Sequence, residues 1–119
     1  MEQIMNLLEE TQYAINESGH TPEDIIFIGS LQSGHSCTWD EYIKLADKEY
    51  DSGFGAAHVA TDLVIVFNNN TYITRGEYDG SEWWEYNKPP IIPKIQYPIH
   101  ELMNGMWTNL EDLQEKDHD

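Results

Sequence analysis

The sequence predicts an α+β fold: a single domain over residues 1–119, with an antiparallel sheet of about five strands flanked by about three helices. Apolar residues recur at helical spacing near both ends of the chain. A run of β-branched and aromatic residues lies between them, and short turn signals separate it from its neighbours. The predicted element order is α-β-β-α-β-β-β-α.

The first helix is predicted from an amphipathic stripe that starts at Ile4. The stripe follows the i, i+3, i+4, i+7 rule and comprises Ile4, Leu7, Leu8, Thr11, Ala14 and Ile15. Gly19 is typical of the residue just after a helix, because glycine adopts a left-handed conformation at no steric cost. The apolar, β-branched run Ile25-Ile26-Phe27-Ile28 then predicts the first strand.

The second helix is predicted from a capping box. Thr38 and Glu41 have the T-x-x-E spacing, in which the two side chains satisfy each other's backbone N–H groups. Just before the box, Ser36-Cys37 predicts a short return strand. The buried side of the helix is expected to extend from Tyr42 to Tyr50, where a glycine-flanked loop ends it.

A three-stranded meander is predicted in the middle of the chain. Leu63-Val64-Ile65-Val66-Phe67 is apolar on both faces, which favours a central strand. Asn68-Asn69-Asn70 suits a tight turn because asparagine tolerates positive φ. Thr71 to Arg75 is the predicted return strand, and Glu82 to Tyr86 is the third strand, after an Asp79-Gly80 turn.

A last helix is predicted from a final apolar stripe, formed by Ile99, Leu102, Met103, Met106, Leu110 and Leu113. Gly105 lies inside the stripe and weakens such a helix by about 1 kcal/mol relative to alanine. Residues 114–119 are predicted to be a frayed acidic tail.

The charge balance restricts the class of function. The chain has 22 aspartates and glutamates against 6 lysines and arginines, a formal net charge of −16. Direct nucleic-acid binding is excluded because it requires a basic footprint, and an anionic membrane surface would repel this chain. One cysteine and an N-terminus without the basic and apolar regions of a secretory signal predict a cytoplasmic protein, in a host cell if phage-encoded.

Two groups of acidic residues are candidate contacts for a basic partner protein. The first lies in a segment without any basic residue and comprises Glu77, Asp79, Glu82, Trp83 and Glu85. Alternate strand residues place carboxylates about 6–7 Å apart, a spacing similar to that of phosphates along a strand. The second group surrounds the second helix and comprises Asp40, Glu41, Asp47, Glu49 and Asp51. The alternative is that these acids only keep the surface soluble.

No residue pattern predicts catalysis, a metal site or a cofactor. The acids of the first group lack the order and density of a calcium loop, and one cysteine with scattered histidines cannot supply a zinc site. Cys37 with His35 or His58 could be imagined as nucleophile and base. The acidic neighbourhood raises a thiol pKa, however, and a lone cysteine is more often a small buried hydrophobe.

Four segments carry a resemblance to small proteins of bacteriophages and prophages: residues 46–51, 53–55, 62–66 and 75–84, the last containing Glu-Tyr-Asp-Gly-Ser-Glu-Trp-Trp. This resemblance implies no activity. In size and charge the chain is also similar to phage inhibitors of host defence, including anti-restriction and anti-CRISPR proteins, many of which are acidic mimics of nucleic acid.

The sequence therefore predicts a non-enzymatic inhibitor that occupies the nucleic-acid groove of a basic protein, such as a CRISPR effector or a restriction enzyme. The alternative is a phage accessory or assembly module that interacts, for example with a second copy of itself, through exposed aromatics such as Trp83 or Trp107. In that case the charge is only solubilising.

Overall fold

The computed structural model describes residues 4–53, 57–78, 81–87 and 92–115, and over these ranges the fold is α+β. The helices are α1 (Leu7–Glu17), α2 (Trp39–Ala46) and α3 (Leu110–Glu115). The strands are β1 (Ile4–Asn6), β2 (Ile25–Ser30), β3 (His35–Ser36), β4 (Glu49–Asp51), β5 (Leu63–Phe67), β6 (Tyr72–Tyr78), β7 (Ser81–Asn87) and β8 (Tyr97–Pro98).

The main sheet has six strands in the order β7-β6-β5-β2-β3-β8, and β1 and β4 form a separate antiparallel pair. The prediction of about five antiparallel strands is therefore wrong in number, and also in kind, because β3 and β8 pair in parallel. The missed strands have only two or three residues each. Segments this short carry no hydrophobic period, so they form only where a partner strand is already in place.

Strand β5 is central, as its apolar run predicts. All five of its residues are buried, and it pairs with β2 on one side and with β6 on the other. Leu63, Ile65 and Phe67 belong to the main core, whereas Val64 and Val66 pack on the opposite face with Phe27. The Asn68-Asn69-Asn70 turn is also confirmed, with Asn70 at φ 69°.

The first two helices are shorter than predicted, because residues at the start of the first predicted helix belong to β1 and residues at the end of the second belong to β4. Ile4 lies in β1, and α1 begins at Leu7 after Asn6, whose side chain accepts a hydrogen bond from the Glu9 N–H at 3.0 Å. The backbone N–H of Leu7 donates to the carbonyl of Lys48 at 3.0 Å. Helix α2 starts at the predicted capping box but ends at Ala46, so Tyr50 is a strand residue.

The predicted last helix forms only over its final turns. Residues 99–109 are irregular, and Met103 forms an isolated bridge with Val59. Positive φ at Asn104 (79°) and Trp107 (57°) is incompatible with a continuous helix. The stripe is nevertheless buried except for Met106. Gln114 is buried in α3, so the predicted tail does not begin at residue 114, and residues 116–119 lie outside the described residues.

Candidate partner-binding site

The only arginine in the chain is buried in a polar network on the face of the sheet that α1 covers. Arg75 Nη1 donates to Glu10 Oε2 at 3.3 Å, and Nη2 donates to Glu82 Oε1 at 3.0 Å and to the Tyr50 hydroxyl at 2.8 Å. Its guanidinium carbon lies 4.9 Å from the ring centroid of Trp84. Burial opposes the positive charge, but Tyr50, Glu10 and Glu82 together raise the pKa of Arg75 above its ordinary value.

Glu82 is a structural residue and does not belong to an exposed array, contrary to the sequence prediction. It is 6% exposed, and besides Arg75 it accepts hydrogen bonds from the backbone N–H groups of His58 and Val59, at 2.7 and 3.2 Å. A carboxylate with this many donors, one of them charged, is held firmly inside the fold. The sequence also places Arg75 near Glu77 and Asp79, but its carboxylate partners are Glu10 and Glu82.

The rest of the first predicted group divides between the surface and one residue that is not described. Glu77 and Glu85 are exposed, and Trp83 is 39% exposed. Asp79 lies outside the described residues. Trp83 and Glu85 both lie over Gly76, where an added Cβ would be 2.5 Å from Trp83 Nε1. Glycine at this position therefore permits the close packing of two predicted contact residues.

The second predicted group has mixed roles. Asp40 and Glu49 are exposed, whereas the carboxylates of three other members accept hydrogen bonds. The acceptors are Glu41 (from the Thr38 N–H, 2.8 Å), Asp47 (from Asn6 Nδ2, 2.9 Å) and Asp51 (from the Gly53 N–H, 3.0 Å).

The structure brings Asp47 and Glu49 to the N-terminal end of α1. Asn6, which caps this helix, binds Asp47 through its side chain and lies opposite Glu49 in the β1–β4 pair. Glu9 occupies the first turn of the same helix. Three acids from two separate parts of the sequence therefore surround Asn6.

A groove of about 560 Å³ lies between α1 and the edge strand β7. Its helical wall is formed by residues at i, i+3, i+4 and i+7, namely Glu10, Tyr13, Ala14 and Glu17. Its sheet wall includes Trp84, Glu85 and Tyr86. A concave site of this size, apolar with a few charged groups, is typical of a binding site.

The walls of the groove combine aromatic rings with carboxylates. Tyr13 is 67% exposed and Tyr86 is 55% exposed, whereas Trp84 is fixed by a hydrogen bond from its Nε1 to Thr11 Oγ1 at 3.2 Å. Glu17 forms no ion pair or hydrogen bond with another described residue through its carboxylate. The carboxylate of Glu85 lies over Gly76, on the face of the sheet opposite to Trp84 and Tyr86. Aromatic faces beside an unneutralised carboxylate favour a cationic ligand.

Of the residues in the groove, the sequence prediction includes Glu85 and Trp83 but misses Tyr13, Glu17 and Tyr86. The missed signal on the helix is the repeat Glu10, Tyr13, Ala14, Glu17, which shares one face of α1 beside the apolar stripe. No comparable signal marks Tyr86, because its position in the groove depends on which face of β7 packs against α1, and the local sequence does not specify that face.

A second cleft, of about 510 Å³, contains Cys37 but lacks the groups that thiol catalysis needs. Burial and the nearby Glu41 raise the pKa of the Cys37 thiol to about 12. Among the described residues, no histidine lines this cleft. His35 instead bonds to Ser33 Oγ through Nδ1 at 2.9 Å.

The Cys37 thiol is expected to react slowly in the folded protein. A pKa of about 12 lowers the thiolate fraction at pH 8 about a thousandfold relative to a free cysteine. A thiolate of higher pKa is intrinsically more nucleophilic, so the reaction rate falls by less than the thiolate fraction does. Alkylation by iodoacetamide should therefore be about 100-fold slower in the native protein than in concentrated urea, followed by mass spectrometry. Native and unfolded rates within tenfold of each other would contradict a buried, protonated thiol.

No metal-binding cluster of three or more histidine, cysteine, aspartate or glutamate residues occurs in the described ranges. Over the same residues, no helix has both the length and the apolar composition that a membrane crossing requires. No protein-family model, curated protein or solved structure significantly matches this chain.

Proposed function

We propose that this protein is a non-enzymatic, phage-type acidic inhibitor that binds a basic nucleic-acid-binding protein, such as a CRISPR effector or a restriction enzyme, in place of nucleic acid. The observation that carries the proposal is the presence of unpaired carboxylates around an aromatic groove. With a net charge of −16, such a surface attracts cationic proteins over long range and repels nucleic acid.

Some of the acids have roles in folding, and these do not support the proposal. They pair with Arg75 or accept hydrogen bonds from backbone N–H groups, and they are Glu10, Asp24, Glu41, Asp51, Asp62, Glu82 and Glu101. Four exposed acids, Glu9, Glu17, Glu49 and Glu85, have no side-chain partner within the described residues. Because like charges repel and lower stability, acids without such a role are the better candidates for binding a partner.

The unpaired acids nearest the groove continue along α1 into the acids around Asn6. We call this set the acidic band: Glu9, Asp47 and Glu49 at the N-terminal end of α1, Glu17 at the groove, and Glu85 on the outer face of the edge strand β7. An 11-residue helix is about 16 Å long, which corresponds to about five successive phosphates of one nucleic-acid strand. The band is therefore long enough to replace a short stretch of backbone on a cationic surface.

A second candidate function is favoured by exposed aromatic residues. Trp83 is 39% exposed and Trp107 is 58% exposed, which is unusual for tryptophan and typical of protein interfaces. Here the protein would be an assembly module that self-associates through aromatics. Association would then persist at high salt and be lost in Trp83→Ala but retained in Glu85→Lys.

The proposed function predicts salt-sensitive competition with nucleic acid. A partner cross-linked from nuclease-treated bacterial lysate would be identified and purified, and its affinity for this protein measured at 50 and 200 mM NaCl. We expect affinity to fall by at least about 10-fold over this range, and duplex DNA to displace the protein from its partner.

The matched variants are Glu17→Lys/Glu85→Lys in the acidic band and Glu111→Lys/Asp112→Lys on α3, which change net charge equally. The band variant should lose at least about 10-fold more affinity than the α3 variant. A partner that binds DNA and this protein simultaneously, or with an affinity independent of salt, would contradict the proposal.

A further inference from the structure

We infer that the open edge of strand β7 binds an extended segment of a basic partner protein as an added strand. Apolar side chains of the segment would enter the groove between α1 and β7, and a lysine or arginine between them would lie beside Glu85 on the opposite face of the sheet. The inference rests on the proposed function and adds the conformation and the residue pattern by which the partner is recognised.

Strand β7 presents unpaired backbone groups at its outer edge. It is the last strand of the main sheet, and its register with β6 runs from Ser81 to Asn87 without a bulge. The Glu82 N–H donates to Ser52 O at 2.9 Å, away from β6. Because backbone directions alternate along an antiparallel strand, Trp84 and Tyr86 also direct their N–H and C=O groups away from β6. Within the described residues, no hydrogen bond satisfies these groups, and such an edge is a template for a further strand.

The groove runs along this open edge. Four consecutive residues of β7, 83–86, line it. The side chains of Trp84 and Tyr86 lie on the face that α1 covers. Trp83 and Glu85 direct their side chains to the other face, so these two residues line the groove through their backbone. A strand paired with β7 would therefore have its backbone at the rim of the groove and alternate side chains inside it.

The two residues of the segment that lie opposite Trp84 and Tyr86 would be apolar. Residues directly opposite each other on paired strands share a face, with Cβ atoms about 4.5–5.5 Å apart, so both side chains would enter the groove. There they would meet the buried Ile73 and, on the helical wall, Ala14 and Tyr13. Tyr13 and Tyr86 are more than half exposed, and apolar side chains would remove their ring surface from water.

The residue of the segment between these two would be basic. It would lie opposite Glu85, on the face where this exposed carboxylate lies over Gly76. Opposite charges at directly facing positions of two strands stabilise the pairing, whereas like charges destabilise it. The net charge of −16 attracts the same kind of segment over longer distances.

A second copy of this chain is disfavoured at the same edge by its charge. Two copies would each carry a net charge of −16. The antiparallel register that uses the open backbone groups of both copies pairs Trp84 with Tyr86, and it brings the two Glu85 side chains directly opposite each other. Charge therefore favours a basic segment over self-pairing.

The probe is a blocked heptapeptide of alternating lysine and valine, with lysine at both ends, added to the whole protein at low salt. Binding would be measured by calorimetry, and hydrogen exchange of the backbone amides would be followed by NMR. We expect saturable binding with slower exchange at Trp84 and Tyr86, because both N–H groups gain an acceptor. Exchange at Glu85, whose N–H is directed towards β6, should change much less. A complex without protection at Trp84 and Tyr86 would overturn the inference.

Matched peptides separate strand pairing from attraction between opposite charges. N-methylation of the three valines removes N–H groups that would face β7 and should weaken binding at least about 10-fold, whereas N-methylation of three lysines removes N–H groups that face away and should weaken it less than about threefold. A peptide of the same composition with its valines consecutive keeps the charge but not the alternation, and it should also bind at least about 10-fold more weakly. Equal binding of the two N-methylated peptides, or of the two sequences, would overturn the inference.

Two pairs of protein variants test the location. Glu85→Lys places like charges opposite each other and should weaken peptide binding about fivefold or more, whereas Glu111→Lys on α3 changes the net charge equally and should weaken it less than about twofold. Tyr86→Thr should weaken binding, whereas Tyr78→Thr removes an exposed tyrosine from the other face of the same hairpin and should not. Equal losses within either pair would contradict the proposed location.

The same amides test self-pairing and separate this inference from the proposed function. Protection of Trp84 and Tyr86 in the protein alone, rising with its concentration, would show that a second copy occupies the edge and would overturn the inference. If a basic partner protein competes with DNA but leaves these amides unprotected, the partner uses another surface; the edge inference fails and the proposed function stands. If the peptide pairs with β7 but no basic partner is displaced by DNA, the proposed function fails while recognition of an extended basic segment stands.

Discussion

Replacing Arg75 with methionine is expected to lower the free energy of unfolding by about 3–5 kcal/mol. The substitution leaves Glu10 and Glu82 facing each other across a buried site without a counter-charge. Removing one partner of a buried ion pair is costly because the remaining charge stays desolvated. A loss of this size is a large fraction of the total stability of a domain, about 5–15 kcal/mol.

Urea unfolding would measure this effect, with Lys44→Met as the control, since Lys44 is exposed and has the same charge. The triple variant Glu10→Gln/Arg75→Met/Glu82→Gln should recover part of the loss, because it leaves no uncompensated charge. In that variant the new amide oxygen at position 82 could still accept hydrogen bonds from the backbone of the 58–59 segment. If Arg75→Met cost no more than Lys44→Met, the network would contribute nothing to stability.

The elements that sequence reasoning finds are those whose signal is local. Strand β5 is recognisable because five consecutive apolar residues can be buried only between two other strands. The start of α2 is recognisable because Thr38 and Glu41 satisfy each other's backbone, and the structure shows both hydrogen bonds, at 3.1 and 2.8 Å. Both signals are complete within a few residues.

The elements that sequence reasoning misses depend on partners far along the chain. Strands β1 and β4 exist because they pair with each other across more than 40 residues, as in the Ile4–Asp51 register. For the stripe from Ile99 to Leu113, the prediction of burial is correct at most positions, but the prediction of one helix is wrong. Its first half is held by other contacts, such as the hydrogen bond from the Ala60 N–H to the Leu102 carbonyl.

The candidate site shows the same division. Charge alone indicates a basic partner, but it cannot separate acids that hold the fold together from acids that remain unpaired. Glu82 and Glu85 are three residues apart on one strand, yet Glu82 is buried against Arg75 and Glu85 is exposed. The difference arises because residues three apart on a strand lie on opposite faces of the sheet: Glu82 lies on the face that α1 covers, whereas Glu85 lies over Gly76 on the other face.

Replacing Gly29 with alanine is expected to lower the free energy of unfolding by about 3 kcal/mol. An added Cβ would overlap the backbone carbonyl oxygen of His35 and would lie 2.8 Å from Ser36 Cα. Backbone atoms of a paired strand cannot rotate away, so β3 must shift. This shift would strain the hydrogen bonds from Cys37 N to Ile28 O and from Ile99 N to Ser36 O, both 3.0 Å.

Gly19→Ala is the matched control. Gly19 follows α1 at φ 82°, and an added Cβ there would meet no atom within 4 Å. This variant therefore reports only the cost of the left-handed conformation, about 1 kcal/mol. Urea unfolding should show a loss in Gly29→Ala that exceeds the loss in Gly19→Ala, and equal losses would contradict the steric explanation.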